Sequence, residues 1–62
     1  MAYSYTRWSI DVIEDRLDKG KIDPSDATLM YADVTTHYEE NRISKAAMES
    51  LQRRLKPYIP ND

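Results

Sequence analysis

Cysteine is absent from this chain and glycine occurs once, at Gly20. Without cysteine there is no disulfide framework and no thiolate metal site, so helix packing or association between chains must supply the stability. A single glycine excludes a glycine-rich loop that could cradle phosphates, and the serines at 4, 9, 25, 44 and 50 form no nucleophile motif. No apolar run reaches the roughly 7 to 15 residues of a signal-peptide core or the ~20 of a membrane span. These absences predict a soluble, cytoplasmic chain with no membrane association. The chain has 62 residues, 40% of them hydrophobic and 32% charged, with six aromatics, which is enough apolar content to fold. A chain of this length buries only about 60% of the surface its unfolded form exposes, which disfavours a deep substrate pocket. We read it as one small helical domain spanning 1–62.

Proline and glycine are missing altogether from the 32 residues 25–56. One heptad frame runs through them as Ala27, Met30, Val34, His37, Asn41, Ser44, Met48, Leu51 and Leu55, so the frame is apolar at both ends and polar in the middle. Two architectures satisfy this pattern. An unbroken helix would be ~50 Å long and would need a second chain to cover its C-terminal half, giving a homodimeric coiled coil or four-helix bundle with Asn41 at the seam. A broken helix gives a compact three-helix bundle instead. Asn41 suits a left-handed C-terminal position, Ser44 suits an N-cap, and Ile43 and Met48 then occupy hydrophobic-staple positions. These cues favour the all-α three-helix bundle, with helices over about 6–19, 24–40 and 45–56.

Thr6 is the expected N-cap of the first helix and Gly20 its terminator. Asp23, Pro24 and Asp26 read as N-cap, N1 and N3 of the second, a variant capping box. Pro57 and Pro60 end the third. On the first helix Ile10, Ile13 and Leu17 share a stripe, whereas Trp8 and Val12 fall to one side. On the second, Ala27, Met30, Tyr31, Val34 and Tyr38 share a face that excludes Leu29 and Ala32.

Charge is partitioned although the net value is only −2. Residues 8–41 hold nine acidic groups against three basic, and 42–62 hold five basic against two acidic. Packing acidic helices against a basic one would satisfy this internally, and the same asymmetry could steer a partner.

Candidate chemistry is thin. Asp33, His37 and Glu40 have helical spacing and metal-binding donor types, but the chain has no second histidine, so His37 reads as a surface or helix-edge residue and no metal or cofactor is expected. Paired carboxylates such as Glu14-Asp15 and Glu39-Glu40 lack a cleft to perturb them and read as a solvated face. The chain is therefore expected not to be an enzyme.

Two binding surfaces remain. Tyr5, Trp8, Val12 and Leu29 lie off the core stripes, and aromatic residues are favoured interface anchors. With Asp11, Asp15, Asp18 and Glu39 they make an aromatic and acidic surface for a protein partner, unless Trp8 merely covers the end of the core. Arg42, Lys45, Arg53, Arg54 and Lys56 form a basic side of the third helix that could follow nucleic-acid phosphates. The alternative for that side is a solvated face with Lys45, Glu49 and Arg53 paired at spacing four.

The segment Ile43-Ser44-Lys45-Ala46-Ala47-Met48 resembles the start of a recognition helix in helix-turn-helix regulators, which implies DNA contact by the third helix. It departs from that pattern in lacking a glycine in the turn and in having Tyr38 where a small residue would pack. The order of Ile10-Asp11 and Glu14, Met30-Tyr31 and Ile59-Pro60 is faintly similar to small helical nucleoid-associated modulators, which act by binding other proteins. No motif matches them over the whole chain. The expectation is a non-enzymatic regulatory or adaptor protein that occludes or bridges a protein partner. A small DNA-binding regulator is the second reading, and a structural homodimeric coil the third.

Overall fold

The computed structural model describes residues 7–60, which form three helices. These are α1 (Ile10–Lys19), α2 (Pro24–Glu39) and α3 (Lys45–Leu55), followed by a 3-10 turn over Lys56–Tyr58. The chain is the all-α three-helix bundle, and the continuous 25–56 helix does not form. Its break is chemical. Asn41 takes a left-handed φ of 62°, its N–H bonds the Tyr38 carbonyl, and the Arg42 N–H bonds the His37 carbonyl, both at 2.9 Å. Gly20, at φ 67°, does the same for α1, with its own N–H on Leu17 and the Lys21 N–H on Arg16. Both ends are Schellman motifs, which satisfy carbonyls a helix end would otherwise leave open. Ser44 then starts α3, accepting the Ala47 N–H at 3.1 Å. Asn41 therefore sits in a turn rather than on a coiled-coil seam.

Two local expectations need correction. Helix α1 begins at Ile10 rather than near Thr6, which lies outside the described residues, and Ser9 is its N-cap. The Val12 N–H, which a longer helix would give to the Trp8 carbonyl, goes to Ser9 Oγ at 3.3 Å. Tertiary bonds to α2 take the Trp8 backbone instead. At α2, Asp23 holds the N-cap position and Pro24 the first turn, but the Asp23 side chain makes no capping bond and instead accepts from Ser25 Oγ at 3.4 Å. The capping box is therefore not closed. The fixed φ of Pro24, which has no N–H to satisfy, and the Ala27 N–H on the Asp23 carbonyl at 2.9 Å start the helix.

The core consists of Ile13 and Leu17 from α1, Ala27, Met30 and Val34 from α2, and Leu51 and Leu55 from α3. Trp8, Ile10, Ile22, Tyr31, Ile43, Met48 and Tyr58 pack around it, partly buried. Helices α2 and α3 pair along their length, and Gln52 ties them by donating to Thr35 Oγ1 at 2.6 Å and to the Tyr31 carbonyl at 3.4 Å. Helix α1 lies against α3, where Arg54 pairs with Asp18 at 2.9 Å. No helix among the described residues is long and apolar enough to cross a membrane.

Candidate functional site

Asp33 and His37 on α2 and its C-cap residue Glu40 all reach the segment ahead of α1, and their polar atoms hold the chain rather than a ligand. Asp33 Oδ2 accepts the Trp8 N–H at 2.9 Å, and His37 Nε2 donates to the Trp8 carbonyl at 2.8 Å. Glu40 Oε1 accepts from Arg7 Nη1 at 2.8 Å and forms an ion pair with Arg42 Nε at 3.2 Å. One turn-spaced column of side chains thus clasps residues 7 and 8 in non-helical form ahead of α1. The expectation of a surface or helix-edge His37 is corrected, since the residue is 8% exposed and Asp33 is 5% exposed. Part of the cause lies outside α2, in the Trp8 backbone that both side chains bond. The buried His37 Nδ1 has no hydrogen-bond partner among the described residues. No group of three His, Cys, Asp or Glu among those residues is placed to hold a metal ion.

The clasp positions Trp8. Its ring is half-buried against the core, and the Arg16 guanidinium lies 5.6 Å from the ring centroid, within cation–π range. Trp8 therefore covers one edge of the core and stays partly exposed there. Beside it a depression of about 420 Å³ is lined by Arg7, Trp8, Ser9 and Val12. Val12 is 40% exposed and Leu29 46%, and these are the exposed large hydrophobic side chains among the described residues.

The predicted protein-binding residues do not all meet. Trp8 and Val12 are brought together; Leu29 and Glu39 stand on α2, ~15 Å apart along its axis. Tyr5 lies outside the described residues. Asp11, Asp15, Asp18 and Glu39 are all exposed. Asp15 pairs with Lys19 at 3.1 Å and Asp18 with Arg54 at 2.9 Å, whereas Asp11 has no ion pair among the described residues.

The predicted basic residues also divide. Arg42 and Arg54 are taken up by Glu40 and Asp18, so the charge partition is satisfied in part internally. Lys45, Arg53 and Lys56 are exposed, and among the described residues none has an ion pair. The expected Lys45, Glu49 and Arg53 ladder is not formed. Sequence reading overlooked a groove where Tyr31 faces the segment after α3, lined by Lys56, Pro57, Ile59 and Pro60. Its signal was available: Tyr31 sits beside the core stripe of α2, and two prolines bracket Ile59.

The chain matches no protein-family model, no curated protein and no solved structure, so neither resemblance noted in the sequence places it in a family.

Proposed function

We propose that this chain is a non-enzymatic regulatory or adaptor protein of the cytoplasm that occludes or bridges a protein partner through the surface around Trp8 and Val12. The observation that carries this reading is the exposed Val12 beside a Trp8 whose backbone is clasped on both sides. An aromatic ring packed against the core and under the Arg16 guanidinium, next to open apolar surface, is the composition of an interface anchor, because it has less rotamer freedom to lose on binding than a free ring. Asp11 and Glu14 lie exposed on the same helix without ion pairs among the described residues, and the exposed Asp15–Lys19 pair costs little to open. The partner surface that fits is an apolar side chain rimmed by basic groups. The buried polar groups Asp33 and His37 bond the Trp8 backbone, which supports a structural role for them in holding the strap.

Differential capture tests this reading. Wild-type chain, Val12→Glu, Leu29→Glu and Lys45→Glu serve as baits in the same extract. A specific protein retained by wild type and Lys45→Glu and lost with Val12→Glu supports the surface. Recovery independent of Val12 refutes it. Val12 is a cleaner probe than Trp8 because Trp8 also packs on the core.

Nucleic-acid binding through Arg42, Lys45, Arg53, Arg54 and Lys56 is a second reading, favoured by the lack of ion pairs at Lys45, Arg53 and Lys56 among the described residues. It requires duplex-DNA affinity that falls steeply as salt rises, and no binding at low salt dismisses it.

A further inference from the structure

Two adjoining depressions meet on the α2/α3 side of the bundle. One, of about 390 Å³, is lined by Tyr31, Lys56, Pro57, Ile59 and Pro60. The other, of about 230 Å³, is lined by Tyr31, Glu49, Gln52, Arg53 and Lys56. They share Tyr31 and Lys56, so together they make one groove that follows α3 from Glu49 and continues past the 3-10 turn to Pro60. Its two ends differ in chemistry. Prolines, Ile59 and the Tyr31 ring form the apolar end, where neither proline offers an N–H. Arg53 and Lys56 supply the cationic part, and both are exposed with no ion pair among the described residues. The Gln52 amide N–H groups are already engaged by Thr35 and Tyr31, and the charged groups in the groove without an ion pair among the described residues are Arg53, Lys56 and, at the end where it starts along α3, Glu49.

We propose that this groove is a second docking surface, distinct from the one around Trp8, and that it takes an extended segment of a partner protein carrying an apolar side chain next to carboxylates. The apolar side chain seats against Tyr31, Pro57, Ile59 and Pro60, and the carboxylates meet Arg53 and Lys56. Charge complementarity selects this occupant over nucleic acid. Two free cations neutralise about two phosphates, whereas salt-sensitive DNA binders contact roughly 6–10. Arg42 and Arg54, which would extend the basic track, each carry a carboxylate beside them, Glu40 and Asp18, whose charge opposes a phosphate there. Glu49 adds a negative group to the same groove. An acidic, apolar segment tolerates Glu49 by ending short of it, which a continuous phosphate backbone does not.

The test is an amide NMR titration of the isotope-labelled full chain with a decapeptide pool randomised in Glu, Leu and Ser. Comparison probes are a Lys, Leu and Ser pool, a Glu and Ser pool, and a twelve-nucleotide oligothymidine. The Glu, Leu and Ser pool is expected to shift the amides of Tyr31, Gln52, Lys56 and Ile59. Its apparent affinity should fall at least tenfold in the double variant Arg53→Glu/Lys56→Glu and stay within twofold in Lys45→Glu, whose residue lies outside the groove. The same spectra show whether a variant is folded. Should the double variant not fold, the wild-type titration at two salt concentrations decides, with weakening expected as salt rises. Shifts confined to other residues, absence of shifts at millimolar peptide, salt-independent binding, equal response to the Glu and Ser pool, or tighter binding of oligothymidine would each overturn the proposal.

Discussion

Replacing Asp33 by alanine removes the acceptor of the Trp8 N–H, a 2.9 Å bond from a side chain that is 5% exposed. Hydrogen bonds to charged groups contribute about 1.5–3 kcal/mol, and the freed Trp8 N–H can regain water at the edge of the bundle, so the loss of this bond alone is expected to cost about 2 kcal/mol, a lower bound for the substitution. In a domain of this size 1 kcal/mol moves the melting midpoint by roughly 4–8 °C, which puts the change from this bond at about 8–16 °C. Trp8 is the chain's single tryptophan, so its emission reports the strap directly while far-ultraviolet circular dichroism reports the helices. In Asp33→Ala the Trp8 emission should shift to longer wavelength and become more accessible to acrylamide at temperatures where helical signal persists. Asp33→Asn keeps an acceptor oxygen and should recover part of both effects, whereas Glu39→Ala, exposed on the same helix, should change neither. An Asp33→Ala chain with unaltered melting and unaltered Trp8 emission would refute the clasp.

The two left-handed helix ends should respond in opposite directions to substitution. A Cβ at Gly20 meets no close neighbour, the nearest atom being Tyr58 Oη at 4.0 Å, so Gly20→Ala should cost about 1–2 kcal/mol from the backbone conformation alone. Asn41→Gly relieves the same strain and should raise the melting midpoint, by up to ~1 kcal/mol of stability; a fall would mean that the Asn41 side chain has a role beyond its φ. Ser44→Ala, read by chemical denaturation, should cost about 1 kcal/mol through loss of the cap on Ala47, and a change below a few tenths would remove that cap from the account of the α2/α3 break.

How far the fold could be read from the sequence depended on whether a feature was local. The break at 40–44 was legible because Asn41, Ser44, Ile43 and Met48 each express it within a few residues. Ile13, Leu17, Met30, Val34, Leu51 and Leu55 were legible because helical period marks a buried face. The start of α1 was not, since it is decided by bonds from Trp8 to Asp33 and His37, 25 and 29 residues away. The same distance hid the meaning of the Asp33, His37 and Glu40 column. Its spacing was visible, but its partner was a backbone segment with no signature of its own. At the capping box the local pattern was correct in position and wrong in bonding, because Pro24 made the helix start independent of the Asp23 side chain. Of the proposed protein-binding set, Trp8 and Val12 were legible as neighbours off the core stripe, whereas the pairing of Asp18 with Arg54 joins residues 36 apart and was not.

Trp8 carries both the clasp and the proposed interface, so the two are thermodynamically linked. Its backbone is held by α2 and its ring borders the depression with Val12, so a partner that fits this depression binds the clasped form and not the released one. Release of the strap then lowers the apparent affinity by the fraction of chains still clasped. The converse has a magnitude. A partner at a hundred times its Kd adds about 2.7 kcal/mol to the form it binds, more than the ~2 kcal/mol assigned to the Asp33 bond. A bound partner should therefore restore the clasp that Asp33→Ala weakens, whereas a partner that binds Val12 without regard to Trp8 should leave the strap loose.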